Sequence, residues 1–226
     1  FAKDLPRRIV IVGDGVEAWL TALILNHRMA ASGIRITVLA DDSSEPVTPI
    51  VSLSPGMAKL FSQLGVDESE VMRECKGTYS LGVQYCDWSQ LKRDYWHPFG
   101  ICGAAVDGND VFLLWHSERA HGRLLRPYQS YSLNWAASVA GKSPRRRDSV
   151  TPIQKASSYG FNLDRAAFLR WSKANAIERG VEVVNDKVCG ISPNGRGGIA
   201  QLKTNNSGNL PAEFFLDCAG PEGSLL

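Results

Sequence analysis

The chain is poor in the features that assign a protein quickly. Its five cysteines, at 75, 86, 102, 189 and 218, show no Cys-x-x-Cys spacing. A disulfide framework or a zinc site is therefore not expected, and a reducing cytoplasm fits. The four histidines form neither a His-Glu-x-x-His motif nor a pair at helical spacing, so no metal centre is expected. No apolar run approaches the roughly 18 residues that a membrane span requires. No apolar core of a signal peptide follows Phe1. The net charge of +2 gives no electrostatic reason to expect nucleic acid. The dense basic cluster, Arg145-Arg146-Arg147, is flanked by Ser and Pro and reads as a solvated loop. Internal repeats and low-complexity tracts are missing too.

What remains is an ordinary globular composition. An apolar fraction of 44% over 226 residues suffices to bury a full core, in one large domain or two small ones. The most informative stretch is Arg8-Ile9-Val10-Ile11-Val12-Gly13-Asp14-Gly15-Val16-Glu17-Ala18. A β-branched run stops at two glycines, and an apolar helical pattern starts at once. This is the opening of a βαβ unit that holds a dinucleotide pyrophosphate. Gly13 permits the tight turn. Gly15 lets backbone approach the phosphates. Val16 begins the helix, and Ala18 takes the third small position. The helix N-terminus offers free N–H groups and a positive dipole end. Val16, Leu20 and Leu23 repeat at helical spacing, with Trp19 and Ala22 beside them, and Gly33 closes the helix. A second strand, Arg35-Ile36-Thr37-Val38-Leu39, leads to Asp41 and Asp42. An acid after this strand receives the ribose hydroxyls in such units. Position 40 is Ala, so Asp41, one residue on, is the candidate. A βαβ unit with a tight turn and no ligand is the alternative.

Further along, residues 43–55 are rich in Ser and Pro and read as a loop. Gly56 to Leu64 reads as a short helix. Asp67 with Glu70 opens another that runs through Cys75. Thr78 to Tyr85 has strand character. Residues 89–160 mix aromatics with Gly, Ser and Pro and predict a few short helices and long loops. Asp164 is a good N-cap for a helix with Ala167, Trp171, Ala174 and Ile177 on one face and Gly180 beyond its end. Strands are expected at 181–184, 187–191, 199–204 and 213–217, with a hairpin turn over Asn194–Gly198.

Several of these stretches together resemble the flavin-dependent tryptophan halogenase family, a branch of the FAD monooxygenases. They are Ile9 to Trp19; Leu64-Gly65-Val66-Asp67-Glu68 through Cys75; Gly77 to Val83 with Asp87-Trp88; Tyr95-Trp96-His97-Pro98-Phe99-Gly100; Tyr131 to Asn134; Tyr159 to Asp164; and Phe215-Leu216-Asp217-Cys218-Ala219-Gly220 leading into Ser224-Leu225-Leu226. The resemblance spans nearly the whole chain. It implies an α/β fold: a Rossmann-like FAD-binding domain with a parallel sheet, an added antiparallel sheet, and a loop-rich insertion over 89–160. A single domain over 1–226, incomplete at its C-terminal end, is expected. The family extends well past the position of Leu226, where its Trp-x-Trp-x-Ile-Pro motif lies.

The resemblance also implies the chemistry. Family members take reduced FAD from a separate flavin reductase and use oxygen with chloride or bromide to make hypohalous acid. A lysine then holds the oxidant against an aromatic substrate, tryptophan or similar, free or within a peptide. Lys59, four residues after Pro55 and two before Phe61, occupies the matching place. Gly13, Gly15, Val16, Ala18 and Asp41 would hold FAD, with Gly220 letting the backbone pass the cofactor. One departure opens other readings. The family's Gly-x-Gly-Glu-Ala-Thr-x-Pro strap is here Thr48-Pro49-Ile50-Val51-Ser52-Leu53-Ser54-Pro55. Its glycines and its glutamate are absent, and bulky residues hinder close approach of backbone to a flavin ring. A flavin hydroxylase that never uses halide is one alternative. A non-catalytic nucleotide-binding module is the other.

Overall fold

A computed structural model of the chain describes residues 6–41, 48–142, 144, 158–220 and 223–225. The Arg145–Arg147 cluster and Asp42 lie outside the described residues. In chain order the first elements are β1 (Arg8–Val12), α1 (Val16–Met29), β2 (Arg35–Ala40), β3 (Ile50–Leu53), α2 (Gly56–Gln63) and α3 (Glu68–Glu74). Then come β4 (Thr78–Ser80), β5 (Gly82–Tyr85), β6 (Tyr95–Pro98), α4 (Val111–Ala120) and α5 (Leu133–Val139). The last are β7 (Gly160–Asp164), α6 (Arg165–Glu178), β8 (Glu182–Asn185), β9 (Val188–Pro193), β10 (Ile199–Thr204), β11 (Asn209–Pro211) and β12 (Phe214–Asp217). The chain divides into two compact units, one of residues 1–50, 69–76 and 164–226, the other of residues 51–68 and 77–163.

The first unit is built on a parallel sheet in the order β12-β1-β2-β8. Val12 at the end of β1 stands opposite Leu39 on one side and Asp217 on the other. All four strands therefore end at one edge. Residues 9–12 of β1 are buried throughout, as a strand covered on both faces must be. Val10, Val12 and Leu39 pack with Leu202 of the antiparallel sheet β11-β10-β9. Alternation turns Ile9 and Ile11 to the opposite face. The helices α1 and α6 pack against one another, and α1 lies against β2. Asn26 on α1 donates to the Arg179 carbonyl at the end of α6, 2.7 Å.

Helix α1 ends at Met29, followed by a single 3-10 turn, and Gly33 closes it at φ 67°. The Asp164 carboxylate caps α6 by accepting from the Ala167 N–H, 2.9 Å. The buried face of α6 is Ala167, Phe168, Trp171, Ser172 and Ala176. Ala174 and Ile177 are exposed, so the face is rotated from the one expected. Phe168, stacked on Trp171 at 5.7 Å, takes the place assigned to them. Strand β11, between the expected strands, has only three residues and no periodicity to announce it.

The second unit holds a sheet in the order β3-β7-β4 and a separate β5-β6 hairpin. Residues 50–53, expected as loop, form β3, where β-branched Ile50 and Val51 suit extended backbone. The single strand expected over 78–85 is broken at Leu81. Its halves join different sheets, β4 with β7 and β5 with β6. The packing is largely aromatic: Phe61 on α2 lies 5.7 Å from Phe161, and Tyr79 meets Tyr159 edge-on at 5.2 Å. Both tyrosine hydroxyls donate to the Glu68 carboxylate, 3.2 and 3.1 Å. The buried Asn134 side chain donates to the carbonyls of Leu81, 3.1 Å, and Ser158, 2.6 Å. Among its described residues, the 89–160 stretch thus contains β6, α4, α5 and a 3-10 turn over Tyr128–Tyr131.

Candidate functional site

Ligands of open α/β sheets bind beyond the carboxyl ends of the parallel strands. At that edge of the first unit the chain places Gly13, Asp14 and Gly15 after β1, Asp41 after β2, Asp186 after β8, and Cys218 to Gly220 after β12. The turn is closed by backbone: Gly13 N–H donates to the Leu39 carbonyl, 3.0 Å, and Cys218 N–H to the Val12 carbonyl, 2.8 Å.

The two glycines of the fingerprint do different work. Gly13 sits at φ 132°, where a side chain is strained, and a Cβ there would lie 2.4 Å from the Cys218 carbonyl oxygen. The fold alone requires this glycine. Gly15 is the N-cap of α1 at φ −79°, ψ 172°, an extended conformation open to any residue. A Cβ on Gly15 would meet a flexible Glu17 carboxylate oxygen at 2.8 Å and, at ordinary contact distance, the Glu17 backbone nitrogen at 4.0 Å. The helix start has no side-chain cap, so its first N–H groups lack that partner. A cradle that a Cβ would fill, at an uncapped helix N-terminus, fits a pyrophosphate. Val16 and Ala18 are buried under this turn. They shape the helix start from inside.

The loop is also acidic. Asp14, 13% exposed, accepts from the Trp19 indole N–H at 2.7 Å and pairs with Lys173 of α6 at 3.4 Å. The Lys173 ammonium lies 5.0 Å from the centroid of the Trp19 ring, which is fully buried. Glu17 pairs with Arg165 of α6 at 3.3 Å. The three partnerships with α6 were not legible in the sequence, because those partners are about 150 residues apart.

Asp41 lies just past β2 and pairs with Lys187 at 3.5 Å. Asp186 holds the neighbouring turn. Its carboxylate accepts from the N–H groups of Lys187, 2.8 Å, Asn206, 2.8 Å, and Ser207, 2.6 Å. Desolvation works against the charge, but these backbone donors outweigh it and hold the carboxyl well below its usual range. Its own N–H donates to the Ala40 carbonyl, 3.0 Å, which ties β8 to the end of β2. Gly220, at φ 90°, turns the chain after β12, and a Cβ there would meet nothing. Its glycine is explained by backbone conformation alone. Burial pushes the Cys218 thiol up, and the carboxylates of Asp217 and Glu17 add to this.

Lys59 belongs to the second unit. It is exposed on α2, a helix anchored by Phe61 beneath it, which is 1% exposed. In the same unit, Tyr95, Trp96, His97, Pro98, Cys102 and Tyr128 line a cleft of about 460 Å³. Tyr95 stacks on Tyr85 with ring centroids 4.9 Å apart. Among the described residues, no group of three or more His, Cys, Asp or Glu is placed to hold a metal. No described helix is long and apolar enough to cross a membrane.

Comparison with known proteins identifies the family. The tryptophan halogenase family profile matches residues 8–226. The chain is 27% identical over 243 residues to tryptophan 6-halogenase ThaL of Streptomyces albogriseolus, covering 97% of this chain and 44% of that protein. The structure of BrvH, a flavin-dependent halogenase from Brevundimonas, superposes with a TM-score of 0.80 at 27% identity, over 97% of this chain and 43% of that one. Tryptophan 6-halogenase SttH from Streptomyces toxytricini gives a TM-score of 0.79 at 25% identity, over 95% and 44%. The chain therefore spans less than half the length of the relatives it matches.

Proposed function

Because the chain belongs to the tryptophan halogenase family, we propose that it is the FAD-holding portion of a flavin-dependent halogenase acting on a tryptophan-like aromatic substrate. It would receive reduced FAD from a separate flavin reductase and use oxygen with chloride or bromide. The observation that carries this reading is Gly15, a glycine whose own backbone does not need one, at an uncapped helix N-terminus on the carboxyl edge of a parallel sheet. Five free thiols suit a cytoplasmic setting.

When bound and reduced, FAD would supply the electrons with which oxygen oxidises halide to hypohalous acid. The chain's residues position and shield. With Gly13 holding the turn behind it, Gly15 would let the backbone N–H groups at the start of α1 reach the pyrophosphate, and Asp41 would accept from the ribose hydroxyls. Lys59 is the candidate catalytic residue: its ammonium donates a hydrogen bond to the hypohalous oxygen and holds the oxidant at one ring carbon. The aromatic cleft offers flat faces to an indole.

One observation favours the hydroxylase instead. Residues 50–53 form a paired strand with Val51 buried, where the family carries a glycine-rich strap. The test combines a binding titration with product analysis. The protein is mixed with reductase, FAD, NADH, oxygen, chloride and tryptophan, and the products are resolved by mass spectrometry. Saturable FAD uptake and a chlorinated product lost in Lys59→Ala support the halogenase. A hydroxylated product without chlorine overturns it in favour of the hydroxylase. A chain that takes up no FAD is the non-catalytic module.

A further inference from the structure

Pyrophosphate is strongly anionic, yet the loop that would receive it carries two carboxylates, Asp14 between the glycines and Glu17 in the first helical turn. An uncompensated carboxylate there repels the ligand and competes for the positive end of α1. Each acid has a cation, and both cations come from α6. Arg165 and Lys173 are eight residues apart, which puts them on the same side of that helix. Their partners are the acids at 3.3 and 3.4 Å. Lys173 is held a second time by the face of Trp19, which itself donates to Asp14.

We propose that α6 is the charge-balancing element of the dinucleotide site: Lys173 and Arg165 neutralise Asp14 and Glu17, so that an acidic loop accepts a pyrophosphate. This rests on the FAD reading above. Lys173 and Arg165 are positioning residues, acting through the acids and not on the ligand. Asp14→Asn is a useful partner substitution, because the amide oxygen still accepts from the Trp19 N–H while the charge is gone.

The test is equilibrium titration of the full chain with FAD, followed by flavin fluorescence, on four proteins: wild type, Lys173→Met, Asp14→Asn and the double variant. Lys173→Met is expected to weaken FAD about tenfold, and the double variant to recover to within about threefold of wild type. Raising the salt concentration should restore part of the Lys173→Met loss, since screened repulsion is the cause. A merely structural clamp predicts a loss that neither salt nor Asp14→Asn repairs, and that result overturns the proposal. So does a Lys173→Met protein that binds FAD like wild type. A second cycle, Arg165→Met with Glu17→Gln, reads the same effect at the more exposed pair should Lys173→Met not fold. Wild type without saturable FAD uptake removes the FAD reading and this proposal with it. Wild-type binding with no rescue in either cycle removes the proposal alone.

Discussion

The two compact units fix their candidate residues by different means. In the first, β1 and β2 are buried on both faces, and the loop after β1 is pinned by strand ends on either side. In the second, strands are three to five residues long, and order comes from tyrosine and phenylalanine edges gathered around Glu68 and from Asn134. Trp88 and Leu91 of that unit stand 75% and 80% exposed. A continuous core overdetermines backbone conformation, whereas an aromatic cluster fixes only the residues it touches. The glycine loop after β1 is thus part of its unit's packing, while Lys59 is carried on a helix whose packing lies beneath it.

The comparison breaks first at Gly13. Gly13→Val is expected to cost about 4 kcal/mol, combining a backbone strain and an overpacked contact that are each worth 1–3 kcal/mol. Urea unfolding measures it. A loss below about 1 kcal/mol would mean that the turn is not locked by Cys218. In the second unit Phe61→Ala should cost about 3–5 kcal/mol by opening a cavity under α2, whereas Lys59→Ala on the same helix stays within about 0.5 kcal/mol. Equal effects would show that Lys59 is a packing residue.

Gly15→Val sharpens the contrast with Gly13. Its unfolding curve should stay close to wild type, while FAD affinity falls about tenfold or more as the branched side chain fills the phosphate cradle. Unchanged affinity would move the pyrophosphate elsewhere.

The buried Cys75 thiol gives the pH dependence. Burial, followed by the charges of Glu74 and Asp164, raises it from 9.0 to about 11. Because the folded value is the higher one, this thiol's contribution to stability is complete below pH 9 and is lost as pH rises towards 11. At pH 8 an alkylating reagent should modify the exposed Cys86 and Cys189 and spare Cys75 until the chain unfolds. Labelling of Cys75 at the rate of Cys189 would contradict its burial. The smallest effect is expected at Asp41. Its carboxylate and Lys187 are both substantially exposed, so Asp41→Asn should weaken FAD by only about threefold. An identical titration would take Asp41 out of ribose contact.

Much of the first unit was legible in the chain. The β-branched run of β1, the glycine pair, the period of α1, the Asp164 cap and the Asn194–Gly198 turn are local signals, written in residues close in sequence. The strap segment shows where local reading stops. Ser and Pro around it suggested loop, but Ile50 to Leu53 find a partner in β7, more than 100 residues away. The buried face of α6 was misread for the same reason, since its register is set by α1. Sequence by itself determined the strand–turn–helix and the family. Only the tertiary structure decided that Gly13 serves the fold while Gly15 is free to serve a ligand, and that two acids in the loop are matched by two cations on a distant helix. Backbone conformation and charge pairing between residues about 150 positions apart depend on how strands and helices assemble, and no local pattern encodes them.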